Sequence, residues 1–477
     1  MTTSNPRGTP NFLIVMTDEH GPMFSGTYGH PLVRTPNMDR LARQGVTFRN
    51  AYCNSPLCVP SRLSFMTGRY VHHIGAWDNG SPLPSDTLTW PYLLRARGYD
   101  AVLCGKMHLI GSDKLHGFRD QLALELHGAH PHFIPEWDQG LPDRHVPWEG
   151  ALKAGPGTTR EIEVDDLAEE RALAYLCDPA HKRKPFALCV GFIAPHFPLV
   201  VPERYYSMYY PDHVDLPDLP PGHLDSLPPA ARRLQTSLGM KWDYDEETLK
   251  RARAAYYGLV TYVDEKLGRL LDCLEETGLA ENTFVIHTSD HGDHIGEHGL
   301  WRKMSFYEQA ARVPLQIAGP GVAGGRQLGE VVSLVDVVAT VLDLAAYSAD
   351  ERRRWRMDGD SLAPLLRGEA VRWKDEAFAE YTAHGTDRPR AMVRSGRWKL
   401  CYNHGAPPEF ELYDLEADPG EFVNRAGQSG CQQVQASLLD RILAEWGDPD
   451  TLDATIRQSQ RERNLIRAAQ GPDELLF

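Results

Sequence analysis

Three things are missing from this sequence, and each removes a class of function. No apolar run approaches the ~20 residues that a membrane-spanning helix needs, so no membrane partner is expected. Surplus positive charge is absent: 50 Lys and Arg face 65 Asp and Glu, a formal net charge of -15. Phosphate backbones are held by Lys and Arg, so a broad basic face for nucleic acid is excluded, although a cationic pocket for one anion is not. The eight cysteines (53, 58, 104, 177, 189, 273, 401 and 431) follow no repeating spacing, and Cys104 and Cys189 sit in apolar strand-like runs, as reduced core residues do. Polar Met1 to Pro10 is followed by apolar Phe12 to Met16, too short for a signal-peptide core. A cytoplasmic protein is the simplest expectation.

What is present suits a folded enzyme-sized chain: 477 residues, 42% apolar, enough for one large α/β domain and a smaller one. Four apolar runs predict buried strands: Phe12 to Thr17, Asp100 to Cys104, Phe186 to Ile193 and Thr283 to Ser289. Between them lie helical stretches, one opened by Thr35-Pro36 and closed by Gly45. Another runs from about Glu246 to Thr277 and stops at Gly278. Strands alternating with helices predict a mostly parallel sheet between helices, with ligands just beyond the strands' carboxyl ends. All four runs end in titratable groups: Asp18-Glu19-His20, Lys106-Met107-His108, Pro195-His196 and Asp290-His291.

Arg119 to Gly157 lacks periodicity and reads as a long loop, divergent over about 122–157. The character changes near Val371, which divides a catalytic domain of residues 1–370 from a C-terminal α+β subdomain of residues 371–477. Antiparallel strands are predicted at Ala391 to Leu400 and Phe410 to Leu415, with a Ser395-Gly396 turn. Leu452 to Phe477 starts helical and ends in apolar Leu475, Leu476 and Phe477, a tail suited to docking on a second subunit.

The sharpest motif is Cys58-Val59-Pro60-Ser61-Arg62. Pro60 suits a helix start and Gly68 a helix end, so Cys58 falls at a helix N-terminus, where free N–H groups favour an anion. A structural cysteine near a turn explains an isolated Cys-x-Pro equally well. The wider pattern does not stay isolated. Cys-x-Pro-Ser-Arg, Phe65-Met66-Thr67-Gly68-Arg69, Gly105-Lys106-Met107-His108, Ala194-Pro195-His196, Ser289-Asp290-His291-Gly292-Asp293 and Leu300-Trp301-Arg302-Lys303-Met304 resemble the formylglycine-dependent sulfatases. Bacterial choline-sulfatase-like and arylsulfatase-like enzymes are the most similar members, and the likeness runs from Asn11 to about Leu412.

The resemblance implies an alkaline-phosphatase-like fold and a sulfatase acting on a small sulfate ester, with a nucleophile made when a maturation enzyme oxidises Cys58 to formylglycine. Arg62 and Lys106 are then expected to hold the nucleophile, and His108 to deprotonate it for sulfate release. His196 and Lys303 lie on the sulfate and leaving-group side, either one as the acid. Asp18, Asp290 and His291 join residue 58 around one divalent metal, Ca²⁺ or, because an imidazole is present, Mn²⁺. Where many sulfatases have two adjacent acids and an Asp-Asn pair, this chain has Asp18-Glu19 and Asp290-His291, which leaves Glu19 open as a ligand. Asn79, in Trp77-Asp78-Asn79, is a candidate sulfate contact or simply an Asn-Gly turn residue.

His294, Glu297 and His298 are expected to orient the ligands or face solvent; His20, His72, His73 and His116 are given structural roles. Phe133, Trp137, Trp148, Glu136 and Asp138 could surround a quaternary ammonium. Choline-sulfatase-like tails also imply a homodimer or homotetramer. Two rivals remain: a phosphonate monoester or phosphodiester hydrolase of the same superfamily, and a non-catalytic sulfate-binding relative.

Overall fold

The computed structural model describes residues 8–126, 134–144, 148–240 and 244–470. A nine-stranded sheet runs through its centre. Seven strands carry it: β1 (Asn11–Asp18), β2 (Val46–Tyr52), β3 (Asp100–Gly105), β4 (Phe186–Pro195), β5 (Thr283–Ser289), β6 (Leu315–Ala318) and β7 (Arg326–Ser333). Two-residue pieces at Asp120–Gln121 and Arg312–Val313 complete it. The four apolar runs of the sequence are neighbours in the order β5-β1-β4-β3, all parallel. Beyond β5, β6 is antiparallel to both β5 and β2, and β7 pairs with β2 in parallel.

Every residue of β1 is buried because both faces of the sheet are covered. Phe12, Ile14 and Met16 point into one core with Val59, Leu63 and Val338. Leu13 and Val15 point into the other with Leu41, Ala168, Ala172 and Leu259. The first core is covered by α2 (Cys58–Thr67) and α5 (Leu334–Leu344), the second by α1 (Pro36–Gln44), α3 (Arg160–Cys177) and α4 (Glu246–Glu276). Helix α4 starts where Asp245 accepts from the Thr248 N–H at 2.8 Å. Gly45 ends α1 for a different reason from the one its type suggests. Its backbone is extended, and an added Cβ would stand 2.2 Å from the Ile317 carbonyl, so the chain passes β6 too closely for any side chain.

A separate four-stranded antiparallel sheet follows: β8 (Glu376–Tyr381), β9 (Arg390–Ser395), β10 (Trp398–Asn403) and β11 (Glu409–Asp414). The predicted Ala391 to Leu400 segment is a hairpin, turning at Gly396 with φ 52°. Helix α6 (Gln432–Trp446) packs on this sheet, and α7 (Pro449–Gln470) returns to the large domain. There Gln460 accepts from the Trp137 N–H at 3.1 Å, and Arg457 and Arg461 reach Asp138 at 3.1 and 2.9 Å. Leu475, Leu476 and Phe477 lie outside the described residues. Among the described residues no helix is long and apolar enough to cross a membrane.

Candidate active site

Cys58 is the first residue of α2 and is 2% exposed. Leu57 has no capping side chain, and the cap comes from elsewhere: Asn79 Oδ1 accepts from the Val59 N–H at 3.0 Å. Asn79 therefore caps the helix that carries Cys58 and also lines the cleft above it.

The strand ends converge on this position. Asp18, Cys58, Asp290 and His291 place their ligating atoms within 4.8 Å of one another, all buried. Both carboxylates are oriented alike. Asp18 Oδ2 is held by Lys106 Nζ at 2.6 Å and Arg62 at 3.0 Å, and Asp290 Oδ2 by Arg62 Nε at 2.7 Å. Their Oδ1 atoms are left facing His291 Nε2, at 3.9 Å (Asp18) and 3.7 Å (Asp290). The second imidazole nitrogen, Nδ1, donates to the Gly292 carbonyl at 2.9 Å, which turns Nε2 toward the cluster as the nitrogen a cation would meet. Cys58 Sγ lies 3.3 Å from that Nε2 and 3.9 Å from Asp18 Oδ1.

The donor set fits a divalent cation. Burial pushes the Asp290 carboxyl up to about 6 despite Arg62. Asp18 stays well below the usual range because Lys106, His196, Arg62 and Lys303 outweigh its burial. Burial disfavours a charged His291, yet Asp290 and the Cys58 thiolate raise it to about 9. Burial and Asp18 would raise the Cys58 thiol, and Lys303 and His291 bring it down to about 6 instead. Opposed charges crowded out of water in this way are what an ion at the centre relieves.

A second group stands beside the first. Lys303 Nζ lies 3.2 Å from Cys58 Sγ and pairs with Glu19, whose other oxygen is 3.7 Å from His196 Nε2. Glu19 thus joins the two leaving-group candidates rather than the four-residue cluster. Arg302 and Met304, on either side of Lys303, have φ of 66° and 80°, left-handed backbone that presents the lysine. His108 is also left-handed, at φ 58°. Glu125 fixes that turn by accepting from the Met107 and His108 N–H groups at 3.1 and 2.7 Å. Burial and Lys106 hold the His108 imidazole well below its usual range, hence neutral.

Above these groups opens a cleft of ≈ 560 Å³, lined by Cys58, Lys106, His108, His196, Arg302 and Lys303 among others. The ammonium pocket expected from the loop is not assembled among the described residues. Trp137 and Glu136 line the cleft, but Glu136 pairs with Arg467 at 2.8 Å. Asp138 is drawn away to α7, and Trp148 stands behind Phe197 and Trp301 at ring distances of 5.5 and 5.6 Å. Phe133 lies outside the described residues.

His294 and His298 do not face solvent: they are buried, on Ser305 and Tyr307 respectively. Glu297 pairs with Arg253. His20 packs on Ser25, as a structural role requires. Sequence reading missed Glu125 and Arg302. Glu125 carries no signal, whereas Arg302, with its guanidinium 4.5 Å over the Phe197 ring, adjoins a motif lysine.

An α/β sheet whose strand ends gather paired carboxylates and buried cations around a helix N-terminus defines a hydrolase for esters of a tetrahedral oxyanion. The Sulfatase family profile matches residues 10–347, and that of the N-sulphoglucosamine sulphohydrolase C-terminal region matches residues 296–446. A choline-sulfatase of Rhizobium meliloti (strain 1021) is 36% identical over 479 residues, covering 97% of this chain and 91% of that protein. An arylsulfatase of Clostridium perfringens (strain 13 / Type A) is 30% identical, covering 87% and 90%. The crystal structure of the phosphonate monoester hydrolase of Agrobacterium radiobacter superposes with a TM-score of 0.73 at 26% identity, covering 94% and 96%. The chain belongs to the sulfatase family and is a sulfuric ester hydrolase.

Proposed function

We propose that the enzyme hydrolyses a small sulfate monoester, an aryl sulfate or a choline-sulfate-like ester, to the alcohol and inorganic sulfate. What supports this reading is the convergence on residue 58 of Lys303 at 3.2 Å, His291 at 3.3 Å and Asp18 at 3.9 Å, at a helix N-terminus. Asp18, Asp290, His291 and residue 58 would hold one divalent cation, Ca²⁺ or Mn²⁺, which when bound supplies Lewis-acid stabilisation of developing negative charge. Oxidised to formylglycine by a maturation enzyme and hydrated, residue 58 supplies two hydroxyls, one to attack sulfur and one to drive sulfate release.

The rest falls to side chains already in place. Arg62 and Lys106 keep Asp18 ionised and put positive charge where the reacting oxygens gain negative charge. Lys303 or His196 gives a proton to the departing alcohol oxygen as the S–O bond breaks, and Glu19 holds the two side by side. Neutral His108 accepts the proton of the second hydroxyl. That electron pair forms the C=O bond, the C–O bond to sulfate breaks, and sulfate leaves. Water then rehydrates the aldehyde.

The phosphonate monoester hydrolase neighbour supports a second reading, since in-line displacement at a phosphonate ester needs the same groups. Rates on 4-nitrophenyl sulfate and on a phenyl phosphonate monoester separate the two: faster sulfate turnover is expected, and faster phosphonate turnover would overturn it. Mass spectrometry of the peptide around residue 58 tests the aldehyde.

We also propose residues 1–370 as the catalytic domain and 371–477 as the C-terminal subdomain, in keeping with the separate sheet that begins at Glu376. A homodimer or homotetramer fits the exposure of Leu465 (72%) and Ile466 (42%) on α7, and a monomer at micromolar concentration by light scattering would count against it. Eight free cysteines fit a cytoplasmic setting.

A further inference from the structure

Away from the cleft, the chain leaving α2 passes through a short helix, Val71–Ile74, lying against the C-terminal subdomain. Two of its four residues are His72 and His73. With Glu445 of α6 they place ligating atoms within 4.8 Å of one another. The two imidazoles are held in the same manner. His72 Nδ1 lies 2.9 Å from Glu380 Oε1, and His73 Nδ1 lies 2.9 Å from Asp358 Oδ2.

An ionised carboxylate only accepts, so each Nδ1 carries a proton, and a metal ion that displaces any proton from Nε2 would meet the ring's lone pair there. Metal-binding histidines are oriented by this same contact, with an acid or carbonyl on the nitrogen remote from the ion. His72 Nε2 is buried with no hydrogen-bond partner, in a side chain 8% exposed. It stands 4.0 Å from Glu445 Oε1. That is too far for a hydrogen bond and a small side-chain rotation from the roughly 3.3 Å between two tetrahedral ligands of one zinc ion. His73 is 35% exposed, which leaves a side open for water.

Charge points the same way. Glu380, Glu445 and Asp358 surround the two rings, and one cation, Arg441, reaches Glu445 at 3.0 Å. Two nitrogens and one carboxylate oxygen suit a borderline divalent ion and disfavour Ca²⁺, which prefers an all-oxygen shell.

We propose that His72, His73 and Glu445 form a second metal site, for Zn²⁺ or an ion of similar chemistry, that clasps the segment following α2 to α6. The site shares no residue with the cluster around Cys58, and its role is structural.

The full-length protein is dialysed against Zn²⁺, and bound metal is counted by mass spectrometry, alongside His73→Ala, Glu445→Gln and Asp290→Asn. The wild type is expected to hold one zinc more than His73→Ala and Glu445→Gln, and to gain a zinc-dependent rise in Tm that both variants lose. Asp358→Asn, which alters the group behind His73, should weaken that zinc by about tenfold. Co²⁺ used as the probe should give visible d–d bands in the wild type that His73→Ala removes. Equal zinc counts in wild type and both clasp variants would overturn the proposal, as would loss of the extra zinc in Asp290→Asn alone. A wild type that binds no zinc at all overturns it without any variant and makes His72 a protonated partner of Glu380 and Glu445.

Discussion

Arg463 forks onto both carboxylate oxygens of Asp78, at 2.6 and 2.7 Å, although 385 positions separate the two in the chain. Asp78 is fully buried and precedes Asn79, the residue that caps the Cys58 helix. The C-terminal helix therefore steadies the active site through one planar contact. Arg463→Met should cost about 3–5 kcal/mol, because it strands a buried carboxylate. Asp78→Asn combined with Arg463→Met should recover part of that loss in a double-mutant cycle. Urea unfolding and kcat/KM of the three variants check this, and additive losses would show that the pair does not act as a unit.

Lys303 and His196 are separable as proton donors. On an alkyl sulfate, removing the true donor by Lys303→Met or His196→Gln should cost about 10²–10⁴-fold in kcat. On 4-nitrophenyl sulfate, whose leaving group needs no proton, the same variant should lose far less. A variant that suffers equally on both substrates is not the donor.

Chelation should abolish turnover, and whichever of Ca²⁺ and Mn²⁺ restores it identifies the working ion. It should also lower Tm, since a ligand bound only by the native state stabilises it by about 2.7 kcal/mol at a hundredfold excess over Kd. Thermal melts with each cation measure this. An unchanged Tm would mean that Asp18 and Asp290 do not hold the metal.

Lys399 sits between two glutamates at the junction of the domains, 2.9 Å from Glu308 and in contact with Glu421. Burial raises both acids, but Lys399 and two arginines bring Glu308 down to about 2, while Glu421 is pushed up to about 7. Glu308 therefore contributes stability that is present above its ordinary 4.5 and lost as pH falls through about 2. Protonated Glu421 contributes stability that is present below its ordinary 4.5 and lost as pH rises through about 7. Glu421→Gln should flatten the loss between about pH 5 and 8 and leave the acid limb intact, as read from urea midpoints across that range.

Much of the core was legible because its signals are local. The runs that became β1, β3, β4 and β5 are buried on both faces and so read as unbroken apolar stretches ending in charged groups. β2, β6 and β7 escaped notice for physical reasons. Arg49 and Asn50 interrupt β2, β6 is four residues long, and β7 alternates exposed and half-buried positions until its last three residues. In the site, the four-residue cluster followed from strand ends and motifs. Asn79 as a helix cap, Glu125 beneath His108 and the α7 contacts depend on pairings across long stretches of chain, which no local pattern encodes. The residues that could surround an ammonium are not gathered among the described residues for the same reason: arginines of α7 engage Asp138 and Glu136.

The burial of Cys58 sets a clock. At 2% exposure, at the floor of the cleft and on a helix whose cap is braced by Asp78 and Arg463, the thiol offers little surface to another enzyme. The oxidation proposed for residue 58 is therefore expected to precede docking of the C-terminal helix, and incorporation of the aldehyde in a chain truncated before α7 checks this. About 400 residues separate Cys58 from Arg463, roughly 20–80 s of synthesis at about 5–20 residues per second. A chain that closes faster than it is modified would keep a buried cysteine where the proposed chemistry needs an aldehyde.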